Sequence, residues 1–137
     1  MTAKVLGIYA TVGLLSIIVA GCAAPKNESS VTGTLTYLER IALPETAEIS
    51  VQIQDVSRAD APAIIIGEEQ FPSDGKQVPF PFSVKYDTGE IVENHSYVVR
   101  GEIRVDGTLL FTTTQAYPVI TRGNPTSGIE LILTKVK

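Results

Sequence analysis

The sequence predicts an all-β fold: about seven short strands packed as an antiparallel β-sandwich of immunoglobulin-like or transthyretin-like type. Three observations carry that expectation. Beyond residue 30, apolar and polar residues alternate with a period of two in one segment after another. Clusters of Gly, Pro, Asp and Asn break these segments at short intervals. No segment of this region shows a helical period. A small, partly open barrel is the alternative. The chain has 137 residues, which suits one domain. A domain of about 105 residues can bury one core without staples.

The first element is not a strand. Residues 1–4 carry charge only at the amino terminus and Lys4, and residues 5–19 follow without any. A helix needs roughly 20 apolar residues to span a bilayer, so this shorter run reads as the core of a secretion signal. It closes on Val19-Ala20-Gly21-Cys22, two small residues followed by a cysteine. This resembles the lipobox of bacterial lipoproteins. In that class the thiol takes a diacylglyceryl group, the leader is cut off before the Cys, and the new amino terminus is acylated. The resemblance implies cleavage between Gly21 and Cys22 and a lipid anchor on Cys22. Ala23, where an Asp would favour inner-membrane retention, favours the outer membrane. Residues 1–21 are then a leader, 22–30 a lipidated cysteine and flexible tether, and 31–137 the β domain.

Seven segments follow in order. Residues 31–38 are the first, and 48–54 the second, with Ile49, Val51 and Ile53 on one face and polar residues on the other. Residues 63–71 are the third. The fourth, 77–86, alternates Val78, Phe80, Phe82, Val84 and Tyr86, yet Pro79 and Pro81 sit between them. Proline cannot donate to a ladder, so this segment belongs at an edge or leaves the ladder locally. Either the prolines block edge-to-edge aggregation, or they hold the strand off its neighbour so that a partner peptide or apolar ligand can enter. On the second reading Val78, Pro79, Phe80, Pro81 and Phe82, with Tyr117, are candidate partner-binding residues. The fifth segment, 96–106, sets Tyr97, Val99, Gly101, Ile103 and Val105 against Arg100, Glu102 and Arg104. Asp106-Gly107 then marks a two-residue hairpin, because both positions require positive φ. Residues 108–117 are the sixth segment and 129–136 the seventh, with Ile129, Leu131 and Leu133 inward.

Most familiar chemistry lacks its parts. Lys and Arg number 11 against 15 Asp and Glu, a net charge of −4. An acidic domain repels phosphate backbones, so no nucleic-acid partner is expected. One Cys excludes an internal disulfide, and one His beside it excludes the usual zinc sites, so no metal is expected. No cofactor is expected beyond the lipid on Cys22. Ser73-Asp74-Gly75-Lys76 matches a Ser-x-x-Lys pattern but sits in a turn without its companion motifs. Glu68 and Glu69 are adjacent, so on a strand they face opposite ways and cannot work as an acid/base pair. His95 reads as a solvated or capping residue. No nucleophile–base constellation appears, and no enzyme activity is expected.

Two loops stand out. Residues 55–62 place Asp55, Ser57, Arg58 and Asp60 so close together that they should pair or cap local amides as a polar corner; a recognition patch is the alternative. In the second loop Tyr117 precedes Pro118, which favours an extended strand end from which the phenol can bond across a corner. Some apolar residues fall on polar faces: Val98, Leu110, Ile132 and one of Ile64-Ile65-Ile66. Clustered, they would make a binding patch; scattered, they carry no meaning.

Several stretches together resemble the YbaY/YscW-type bacterial lipoproteins. They are Val31-Thr32-Gly33-Thr34, Glu39-Arg40-Ile41-Ala42-Leu43-Pro44, residues 51–63, residues 105–113 and Ala116-Tyr117-Pro118-Val119-Ile120-Thr121-Arg122-Gly123. The resemblance spans residues 31–136 in the same motif order, and it is stronger to the stand-alone YbaY-like branch. It implies a β-sandwich and an envelope lipoprotein without known enzyme activity. The related type III secretion pilotins bind a secretin segment and help it assemble in the outer membrane. The expected function is therefore that of a non-enzymatic, lipid-anchored periplasmic protein of the outer membrane that binds a protein or peptide. A small-ligand or carbohydrate binder, stacking sugars on Tyr37, Tyr86, Tyr97 or Tyr117, is the alternative.

Overall fold

The structure is a computed structural model describing Gly13 and residues 27–137; the expected leader, its cleavage point at Gly21 and Cys22 lie outside the described residues. Among the described residues, eight strands are present: β1 (Glu28–Tyr37), β2 (Ala47–Asp55), β3 (Ile64–Pro72), β4 (Phe80–Asp87), β5 (Tyr97–Val105), β6 (Thr108–Thr112), β7 (Pro118–Val119) and β8 (Ile129–Lys135). A 3-10 turn, Thr88–Glu90, follows β4, with the Asp87 carboxylate accepting from the Gly89 amide. The Asp106-Gly107 hairpin forms as expected, at φ 50° and 81°. β1 begins at Glu28, earlier than the alternation suggests, because Glu28–Ser30 pair with β4.

The strands form one sheet in the order β3-β2-β5-β6-β8-β1-β4, with β7 added beside β5. The ends of that path, β3 and β4, come together and nearly close the sheet into a barrel. The expected antiparallel sandwich is therefore corrected to a mixed, nearly closed barrel. β1 and β8 run parallel, Gly33 opposite Ile129 through Tyr37 opposite Leu133. Alternation could not reveal this, because sandwich and barrel both bury one face of each strand. The expected strand 108–117 is also divided. It stops at Thr112, and Pro118–Val119 pairs separately with Tyr97 and Val98.

The inward face makes one core. Val31, Leu35, Ile49, Val51, Ile53, Val99, Ile103, Phe111 and Leu131 are fully buried, the alternating residues of five strands. Tyr37 stacks on Phe111 with centroids 4.1 Å apart. At Gly101 a Cβ would stand 2.7 Å from Leu35 Cδ1, so glycine here leaves the room that the leucines fill. The pairings give the barrel two distinct ends. The tether end holds Asn27 and the start of β1, the ends of β2 and β4, and the starts of β3, β5 and β8. The far end holds the starts of β2, β4 and β6 and the ends of β1, β3 and β8.

Candidate functional site

The seam between β3 and β4 is where the barrel fails to close by a ladder. A hydrogen bond and a close backbone approach are among the contacts that hold it. The Ser83 N–H donates to Glu69 Oε2 at 2.7 Å. At Gly67 the backbones approach so closely that a Cβ would lie 2.4 Å from the Lys85 carbonyl oxygen. Backbone groups alternate sides along a strand, so Pro81, two residues from Ser83, also turns its nitrogen to the seam. Its missing N–H removes nothing from the β1 ladder, and β4 lies at the sheet's end as its prolines require.

The candidate residues of this strand divide. Pro79 and Pro81 are exposed and Val78 is half-buried, while Phe80 and Phe82 are each 4% exposed and belong to the core. The two phenyl rings are thus spent on the barrel's interior. Toward the far end the seam flares into a recess of about 190 Å³ walled by Phe71, Phe80 and Pro81, with Glu69 and Lys76 among its charged lining residues. Phe71 meets Phe80 edge-on, centroids 6.0 Å apart. The loop beside it is pinned: Gln77 accepts from the Leu43 N–H at 2.7 Å and donates to the Leu43 carbonyl at 3.1 Å. Leu38 and Ile41 of that loop are 76% and 42% exposed.

At the tether end, Asp55 organises the polar corner. Its Oδ1 accepts from the Ser57 N–H and hydroxyl, and its Oδ2 lies 2.7 Å from His95 Nδ1. The Ser57 hydroxyl in turn accepts from the Ser96 N–H at 2.9 Å. Burial pushes the Asp55 carboxyl up, but the Ser57 hydroxyl, the His95 ring and the Ser57 amide outweigh it and hold the carboxyl below its ordinary range. Serine and histidine both touch the aspartate rather than each other. The Ser57 hydroxyl bonds the Asp55 carboxylate, so the arrangement is not that of a nucleophile and its base. Arg58 and Asp60 are exposed on the loop beyond. A recess of about 330 Å³ lies between that loop, Ile64, Asn94 and His95. Next to it Ile120 has φ 72° while the Thr121 N–H bonds the Val119 carbonyl, a strained γ-turn. The Thr121 hydroxyl steadies it through the His95 carbonyl.

Tyr117 bonds across a corner. Its hydroxyl accepts from the Ile132 N–H at 3.1 Å, on the stretch of β8 that β6 leaves unpaired. The sugar-stacking expectation is corrected for three tyrosines: Tyr37, Tyr86 and Tyr97 are 4%, 7% and 1% exposed, their rings held in the core. The misplaced apolar residues scatter. Val98 is covered where it pairs with Pro118, and Leu110 and Ile132 are half-buried, but Ile64 and Ile65 are 58% and 51% exposed. Pattern reading missed Gly67, Glu69, Gln77 and the pairing of His95. Gly67 alone carried a signal, since glycine inside a strand often marks a close backbone approach.

Comparison with known proteins adds three findings. Residues 26–131 match the family described as type III secretion system lipoprotein chaperone (YscW). The uncharacterized lipoprotein YbaY of Escherichia coli (strain K12) is 30% identical over 105 residues, covering 77% of this chain and 55% of that protein, so the chain spans about half its relative's length. A solved structure of an alternative pilotin from the type II secretion system of Vibrio cholerae is 42% identical, covering 80% of this chain and 98% of the other at a TM-score of 0.77.

Proposed function

The chain belongs to the YscW family of type III secretion system lipoprotein chaperones, and from that membership we propose a pilotin-like role. It is a non-enzymatic lipoprotein anchored through Cys22 in the outer membrane, and its domain faces the periplasm. There it holds a segment of a secretin-like protein while that protein assembles. The likeness to a pilotin at 42% identity over 98% of that protein supports the transfer.

The β3/β4 seam is the observation that carries the site. It offers two strand edges without a ladder between them and, at its flared end, an apolar recess lined in part by Phe71, Phe80 and Pro81. An extended segment can lie along the β3 edge where the seam flares, beyond the close approach at Gly67, and place one apolar side chain in the recess. Lys76 and Glu69 give the recess charges of both signs, which favours a mixed polar partner segment over a purely apolar ligand. Phe71 is half-buried, so Phe71→Asp puts a carboxylate into the recess without emptying the core. Loss of such an anchor costs about 2 kcal/mol, roughly thirty-fold in affinity. In a strain lacking the wild-type chain, the wild type should restore secretin multimers in the outer membrane. Phe71→Asp, folded and membrane-bound, should not. Equal multimer yield from both would refute the seam as the site.

A further inference from the structure

We infer that the tether end of the barrel is seated on the lipid surface through residues 56–65, with Ile64 and Ile65 among the lipid headgroups. This rests on the anchoring of Cys22 and goes beyond it, because an anchored domain need not touch its membrane.

The first argument is reach. The chain is bound to the barrel at Asn27, whose carbonyl accepts from both the Thr88 N–H at 2.6 Å and the Thr88 hydroxyl at 2.9 Å. Cys22 precedes it by five residues, at most about 18 Å of extended chain. The tether end is therefore confined to the bilayer's vicinity. The far end stands off by the further length of β4, eight residues or roughly 26 Å.

The second argument is what that end exposes. Every residue from Val56 to Ile65 is exposed, and only Arg58 and Asp60 in that stretch are charged. Val92, on the neighbouring loop, is 44% exposed. Apolar surface gathered at one place marks a contact. The far end also exposes aliphatic residues, Leu38 and Ile41, so exposure alone does not choose an end; the point where the chain leaves the barrel does. The stretch is rooted by the Asp55, Ser57 and His95 contacts, so it meets a surface as a preset shape. Around it the charges are mixed: Arg58 and Arg122 stand with Asp60, Asp87, Glu90 and Glu93. The contact is therefore apolar seating, suited to zwitterionic headgroups, rather than attraction to an anionic leaflet.

The test uses the full lipidated chain in vesicles of phosphatidylethanolamine and phosphatidylcholine, spin-labelled at Ile65→Cys or, as control, at Leu38→Cys. Cys22, once acylated, takes no label. The expected result is a several-fold loss of collision with a water-soluble nickel chelate, and a gain with oxygen, at position 65 only. With the acyl groups on Cys22 verified by mass, equal nickel access at both positions overturns the proposal, as does shielding at position 38 instead. A bare thiol at Cys22 overturns the anchoring reading and this inference with it.

Discussion

Asp55 shows how one carboxylate can tie two loops to a strand end. It accepts from Ser57 in its own loop and meets His95, forty residues on, so its charge sits where both loops converge. Its side chain is only 12% exposed, and three donors hold it ionised below the ordinary value of 3.8. A carboxyl whose folded value is depressed stabilises the fold fully above its unfolded value. That contribution fades as pH falls through the lower folded value. Wild type should therefore exceed Asp55→Asn in stability by about 1–2 kcal/mol near neutrality. The difference should shrink below pH 3.8, as urea titrations at descending pH would show. A gap unchanged in acid would mean that the charge contributes nothing. The Asp55–Ser57 half of this corner was legible, since an Asx-type bond joins residues two apart. The His95 half was not, because nothing local relates positions so distant in the chain.

At the scale of the strands, alternation determined which side chains enter the core and left open which strands are neighbours. Ile49, Val99 and Leu131 all face inward as expected. The parallel pairing of β1 with β8, which turns a sandwich into a barrel, depends on long-range contacts that a period of two does not encode. The prolines of β4 did betray an edge. The opposing edge of β3 was marked more faintly, by Gly67 within a strand. Adding one methyl there should matter more than its size suggests, since its nearest neighbour would be the backbone oxygen of Lys85 at 2.4 Å. Backbone cannot swing aside as a flexible side chain can. Gly67→Ala should therefore spread the seam, cost about 1–3 kcal/mol, and speed hydrogen exchange of the Ser83 amide by breaking its bond to Glu69. Thermal melting and amide exchange check this together. Unaltered exchange at Ser83 would show that the seam has slack.

For the molecule as a whole, the proposed anchoring gives the two ends of the barrel different work: one would be held at the membrane through a short tether, and the other would hold the recess away from it. This division makes the anchor separable from the fold. No described strand reaches Cys22, and the core closes without it. On the proposed anchoring, three acyl chains would exceed the two attachments that stable membrane binding requires, whereas the apolar stretch at residues 56–65 would offer only a shallow contact. Cys22→Ser should therefore move the chain from the membrane to the soluble periplasmic fraction while its melting temperature stays within about a degree, since substitutions away from the folded core change stability by less than about 0.5 kcal/mol. Recess binding to a partner segment in solution should also be unchanged, because the recess lies at the other end. Membrane assembly should nevertheless fail, for lack of local concentration rather than of affinity. Fractionation, melting and solution binding measured on one preparation distinguish these. A soluble variant that still supports assembly would mean that the tether serves something other than placement.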